Sequence, residues 1–151
     1  METAIVTGGA KRIGAEITRA LAADGWHVLI HYNRSAAEAE GLAAELGNAS
    51  AVQADLADAQ AAATIMNALD GLPPPRLLVN NASLFAHDDI RDFTAENWAA
   101  HLDVNLRAPA LLSRAFAARA GQGLIVNLID AKLAAPNPDF FSYTISKIGL
   151  A

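Results

Sequence analysis

Apolar residues gather along this chain in short continuous runs, and between the runs they recur every three or four positions. The runs are Thr3-Ala-Ile-Val6, His27-Val-Leu-Ile-His-Tyr32, Ser50-Ala-Val-Gln-Ala54, Arg76-Leu-Leu-Val-Asn80 and Leu124-Ile-Val-Asn-Leu-Ile129, the last apolar on both sides. At this length they predict strands. After the first strand, Ile13, Ile17, Ala20, Leu21 and Ala23 repeat at helical spacing until Asp24-Gly25 ends the segment. Ser35 is placed to N-cap an Ala- and Glu-rich helix to Leu46, closed by Gly47-Asn48. A third helix is expected from Asp58 to Leu69, before the rigid Pro73-Pro74-Pro75. Thr94-Ala-Glu-Asn97 reads as the start of a fourth, with Trp98, Leu102, Asn105 and Leu106 on one face, running on to Ala118 with a kink at Pro109. Short apolar strands alternating with helices predict an α/β fold: a doubly wound parallel sheet covered on both faces, in one domain over residues 1–151. Ligands then belong at the carboxyl ends of the strands.

The first strand breaks at once into Thr7-Gly8-Gly9-Ala10-Lys11-Arg12-Ile13-Gly14. Without a β-carbon the backbone there can turn sharply and approach a pyrophosphate, whose charge the amides at a helix N-terminus stabilise. An ordinary Gly-rich turn is the other reading of this stretch taken alone.

Composition narrows the partners. At 53% hydrophobic and 18% charged, 151 residues suit one globular core. A formal net charge of -5 gives no general attraction to nucleic acid or to an anionic membrane surface. There is no cysteine, and the four histidines (27, 31, 87 and 101) lack paired metal-ligand spacing, so no metal is expected. No apolar run approaches the roughly 18 residues that span a bilayer, and the N-terminus enters a strand directly, so a cytoplasmic protein is expected.

Four features then fall in order: Thr7-Gly8-x-x-x-Arg12-Ile13-Gly14, Asn80-Asn81-Ala82-Ser83, Asn105, and Tyr143-x-x-x-Lys147. Together they resemble the short-chain dehydrogenase/reductase family over the whole chain. Arg12 where a glycine is usual, His31-Tyr32-Asn33-Arg34-Ser35 and Asn81-Ala82-Ser83-Leu84-Phe85 are similar to its pteridine reductase branch. The resemblance implies a Rossmann-like sheet and a small-molecule substrate. It also implies a homo-tetramer or dimer if the full-length chain is present.

The cofactor choice has a physical argument as well. About 20 positions beyond a dinucleotide-binding glycine turn, an acidic residue selects NAD through the ribose 2′-hydroxyl. Here Tyr32 is followed by Asn33-Arg34-Ser35. An arginine fork and a serine hydroxyl suit a 2′-phosphate, which predicts NADP(H). By resemblance, Gly8, Ile13 and Gly14 belong to the cradle and Arg12 adds charge beside the pyrophosphate. Asp55 and Leu56 match the adenine contact, and Asn81, Ala82 and Ser83 match the ribose and nicotinamide side. Lys11 reads as simply exposed.

Tyr143 and Lys147 share a helix face, and an ammonium near a phenol lowers the tyrosine pKa. Tyr143 is therefore the expected proton donor. The resemblance adds that Lys147 holds the nicotinamide ribose and that Asn105 fixes a water in the proton relay. One position departs from the family pattern. Thirteen residues before Tyr143, where most members carry serine, stands Asp130. An ionised carboxylate beside a developing alkoxide is unfavourable by about 4 kcal/mol at ~4 Å with an effective dielectric near ~20. Reduction of a ring C=N bond escapes this, because the nitrogen needs a proton that a carboxyl can relay. The same aspartate replaces the serine in pteridine reductases, and Phe85 matches the ring that stacks on the pterin there; Arg12 also faces that substrate site. The expected activity is NADPH-dependent reduction of a pterin- or folate-like C=N bond. The alternatives are a carbonyl reductase of a small ketone or aldehyde, and a truncated, catalytically silent nucleotide-binding module. The last stays open because family members continue beyond Ala151 through further strands and the substrate loop.

Overall fold

The computed structural model describes all residues, 1–151. Strand β1 (Thr3–Val6) leads to helix α1 (Arg12–Ala23), then β2 (His27–Tyr32), α2 (Ala36–Leu46), β3 (Ala49–Gln53), α3 (Ala61–Asn67) and β4 (Pro75–Asn80). There follow α4 (Ala95–Leu102), a π-helical turn (Asp103–Arg107), α5 (Ala108–Ala120), β5 (Leu124–Asn127) and α6 (Phe141–Leu150). All strand pairs are parallel, in the order β3-β2-β1-β4-β5. This is the doubly wound Rossmann-like sheet that the run lengths predict.

Period-2 alternation of side chains explains the two-sided core. Ile5, Leu29 and Leu78 point to one face, where Ile65 of α3 and Leu112 and Phe116 of α5 cover them. Ala4, Val6, Val28, Ile30, Leu77 and Val79 point to the other, beneath Ala22 of α1 and Ala39 and Leu42 of α2. The connections run one way from β1 to β2 and β3, and the other way to β4 and β5. The carboxyl ends of β1 and β4 therefore flank a crevice at the switch point.

Several local expectations are corrected. Ser35 occupies the N-cap position of α2, but its side chain makes no capping bond. The third helix is shorter than 58–69, because the carboxylates of Asp55 and Asp58 organise the preceding loop by accepting from the amides of Ala57 and Gln60. Pro109 does not simply kink a long helix. The ladder widens one turn earlier, where the Ala108 amide reaches Asp103 at i-5, and the proline then sits in the first turn of α5. Strand β5 ends at Asn127, and its apolar residues are exposed, Leu124 by 61%. It is the edge strand, paired only with β4.

The turn between β1 and α1 needs its glycines. Gly8 has a φ of +61°, and a Cβ on Gly14 would collide with the Gly8 carbonyl and lie 2.6 Å from Asn81 Nδ2. We expect Gly14→Ala to lower stability by at least ~1–3 kcal/mol, the usual range for overpacking at a rigid site. Urea unfolding of the two proteins measures the difference, and an unchanged midpoint would show that the turn yields.

Candidate functional site

Two polar residues join the strand ends at the switch point. The Thr7 hydroxyl oxygen accepts from the amides of Asn81 and Ala82, each at 3.0 Å. The Asn81 side-chain amide donates to the carbonyls of Thr7 at 2.8 Å and Gly8 at 3.1 Å. These bonds hold the glycine turn against the segment after β4 and open a cleft of about 540 Å³ above the sheet.

The cleft gathers most of the residues singled out from the sequence. Gly8, Arg12, Ile13 and Gly14 form its floor; Asn33, Asp55 and Leu56 line one end; Asn81, Ala82, Ser83, Phe85 and Tyr143 line the other. Tyr32, Arg34 and Ser35 lie beside that lining, on the β2–α2 connection, with Arg34 exposed. Lys11 is exposed, as expected, and it also lines the cleft and pairs with Glu38 of α2 at 2.6 Å. His31 is a lining residue to which sequence reading assigned no role. The signal was a histidine inside an otherwise apolar strand.

Arg12 holds a left-handed backbone, with φ at +51°, a conformation that costs an L-residue roughly 1–2 kcal/mol. That strain places a guanidinium at the N-terminus of α1. With the small floor of Gly8 and Gly14 and the cations of Lys11 and Arg12, the cleft fits a dinucleotide pyrophosphate.

At the other end, helix α6 carries Tyr143 and Lys147, both buried. The Tyr143 hydroxyl donates to Asp130 Oδ2 at 2.6 Å, and the Lys132 amide donates to Asp130 Oδ1 at 2.8 Å. Lys147 Nζ donates to the Leu128 carbonyl at 2.8 Å and lies 5.8 Å from the centre of the Tyr143 ring. This reverses the expected direction for the tyrosine. Burial, and then the hydrogen bond and charge of Asp130, push its pKa up rather than down. The Tyr143 bond, the Lys132 amide and the nearby ammonium groups hold Asp130 below the ordinary carboxylate range, so it is ionised at neutral pH. Burial lowers Lys147, against the raising influence of Asp130.

Two further cleft residues make defined contacts within the protein. Asn105 is fully buried, and its side chain is committed to protein: Nδ2 donates to the Leu84 carbonyl and Ser146 Oγ, and Oδ1 accepts from the Leu84 amide. It braces the cleft wall against α6. Phe85 stacks on Phe140, with ring centres 4.2 Å apart and planes 4° from parallel, and meets the Tyr143 ring edge-on at 4.7 Å. Phe140 covers one ring face, and Phe85 remains 56% exposed in the cleft lining.

Asp88 was not singled out from the sequence, yet it starts α6. Phe140, the residue before the helix, is left-handed and offers no side-chain cap. Instead the Asp88 carbonyl accepts from the Phe141 amide at 3.1 Å, and its carboxylate accepts from the Ser142 amide at 3.0 Å and from Asn97 Nδ2 at 2.7 Å.

These features match a known set of proteins. Residues 2–151 match the model of the short chain dehydrogenase family. The chain belongs to the short-chain dehydrogenase/reductase family. Among solved structures, it superposes on the FolM alternative dihydrofolate reductase 1 of Brucella canis complexed with NADP, with a TM-score of 0.94 and 41% identity. That match covers 99% of this chain and 64% of the Brucella protein. Pteridine reductase 1 of Leishmania tarentolae is 33% identical, over 97% of this chain and 67% of the relative. A 3-oxoacyl-[acyl-carrier-protein] reductase of Synechocystis is 31% identical, over 99% of this chain and 64% of the relative. The chain thus spans roughly two thirds of the length of these relatives.

Asp88→Ala removes a buried cap and leaves the Asn97 amide and the Ser142 amide without their acceptor. We expect a loss of about 1–3 kcal/mol in stability, read from chemical denaturation. Loss within ~0.5 kcal/mol of zero would mean that water replaces the carboxylate.

Proposed function

We propose that this chain carries the cofactor site and proton donor of an NADPH-dependent short-chain reductase acting on a C=N bond of a pterin- or folate-like substrate. The observation that carries the reading is the Tyr143–Asp130 contact at 2.6 Å. NADPH, when bound, supplies hydride to carbon. Tyr143, whose hydroxyl is bonded to Asp130 at the cleft end, gives the ring nitrogen its proton, turning from Asp130 to do so and regaining a proton from solvent. Ionised Asp130 opposes charge build-up on a ketone oxygen. It accepts hydrogen bonds from an amino-pyrimidine edge, which carries N–H donors. Phe85 offers an aromatic face once Phe140 moves aside. Lys11 and Arg12 hold the pyrophosphate, Lys147 the nicotinamide ribose, and Arg34 with Ser35 the 2′-phosphate. The Brucella and Leishmania relatives support the substrate class by their names.

The Synechocystis relative favours a second reading, reduction of a ketone. Following NADPH absorbance with a dihydropterin and dihydrofolate panel and a ketone panel separates the two. Turnover of the pterin panel, reduced about tenfold or more in Asp130→Ser, is the expected result. Turnover of ketones alone, or undiminished pterin turnover in the variant, sinks the C=N reading; cofactor binding without turnover of either panel marks a silent module.

The cofactor choice has its own test. Arg34→Asp removes a charge-assisted bond worth about 1.5–3 kcal/mol, so NADPH affinity should fall roughly 10- to 100-fold while NADH binding is retained. Titration of cofactor fluorescence reads both, and a variant that keeps its NADPH preference removes Arg34 from the site.

A further inference from the structure

We infer that His31 is a positioning residue for the cofactor, whose neutral ring ties the glycine turn to the loop after β3. The inference rests on the NADP(H) reading above. His31 sits at the carboxyl end of β2, after Val28-Leu-Ile30, and is 2% exposed. A plain strand would carry another aliphatic residue there, since a buried polar ring costs free energy unless both nitrogens are satisfied. Both are. The Gly8 amide donates to Nδ1 at 3.2 Å, and Nε2 lies 3.0 Å from the Ala54 carbonyl. An amide offers only a hydrogen and a carbonyl only lone pairs, so one tautomer serves both contacts: Nε2 protonated, Nδ1 bare.

Gly8 and Ala54 belong to two separate segments of the cofactor half of the cleft, bridged by one imidazole. Gly8 opens the pyrophosphate turn, and Ala54 precedes Asp55 and Leu56. The backbone of the same histidine reinforces the link, its carbonyl accepting from the Gly9 amide at 3.1 Å. Gly8 is held from its other side as well, its carbonyl accepting from the Asn81 side-chain amide at 3.1 Å. A proton on Nδ1 would set two N–H groups against each other and release the turn.

The charged groups sharing the cleft with His31 are few. Asp55 follows β3; Lys11 and Arg12 stand at the start of α1, with Lys11 paired to Glu38 of α2. From the ends of β1 and β4 come only the neutral Thr7 and Asn81. Burial lowers the His31 pKa, against the Ala54 hydrogen bond and the Asp55 charge, which raise it. The neutral ring therefore persists below the ordinary ~6.5, and cofactor binding weakens on the acid side of that value.

The test measures NADPH affinity by fluorescence for the wild type, His31→Asn and His31→Leu between about pH 8 and about pH 5.5, with circular dichroism confirming the fold of each. Asparagine can present Oδ1 to the Gly8 amide and does not titrate; leucine fills space and accepts nothing. The 2′-phosphate itself titrates near ~6 but equally for all three proteins, so differences between them belong to residue 31. We expect His31→Leu, folded, to bind about tenfold or more weakly at every pH, with asparagine recovering much of that loss. We also expect the wild type to lose more affinity than His31→Asn as the pH falls below the ordinary histidine value and the ring begins to protonate. Equal affinities and parallel pH curves would reduce His31 to core filling and overturn the inference. No NADPH binding by the wild type at pH 8 would overturn the cofactor reading, and the inference with it. Nitrogen NMR of the imidazole decides independently of cofactor: a hydrogen on Nδ1 at pH 8 overturns the assignment.

Discussion

The brace between Thr7 and Asn81 is the constraint on which the site depends. A doubly wound sheet leaves a crevice wherever its strand order reverses, and here the reversal falls between β1 and β4. Left to strand pairing alone, the two strand ends could splay. One hydroxyl that accepts from two amides, and one amide that donates to two carbonyls, hold the glycine turn and the Asn81–Phe85 segment at a set separation. Every other cleft residue is placed relative to that seam: Arg12 and Lys11 on one side, Phe85 and Tyr143 on the other.

Strain marks both ends of the cleft. Arg12 and Phe140 are the two non-glycine residues with positive φ, and each begins a helix that carries functional groups. Such conformations persist only where surrounding contacts over-determine them. For Phe140 those contacts are its stacking on Phe85 and the Lys132 ammonium 5.3 Å above its ring. For the helix that follows, Asp88 provides the cap that Phe140 cannot. Tyr143 is thus located by a carboxylate from a distant loop rather than by its own segment.

The electrostatics of the proton-donating end follow from burial. A buried phenol resists ionisation, and a carboxylate bonded to it reinforces the resistance. Lys147, turned to the Leu128 carbonyl, helps to keep Asp130 ionised without bonding it. In this arrangement Tyr143 keeps its proton and Asp130 lacks one, which makes the pair a donor held ready by an acceptor.

The order and type of the elements were legible in the sequence, because short apolar runs and helical spacings are local properties of the chain. So was the membership of the cleft around Gly8, Arg12, Gly14, Asn81, Phe85 and Tyr143, since motif spacing reflects which strand ends must meet. The exact ends of β5 and α3 and the π-turn before Pro109 were not legible, because each depends on competing backbone partners. Nor were the roles of His31 and Asp88, whose partners lie 23 and 54 residues away in the chain. The sequence by itself determined that an α/β sheet would present a glycine turn, basic residues and a Tyr-Lys pair at one edge. Only the tertiary structure decided the charge state of that pair, because the direction of a pKa shift depends on burial and on which neighbour reaches the group first.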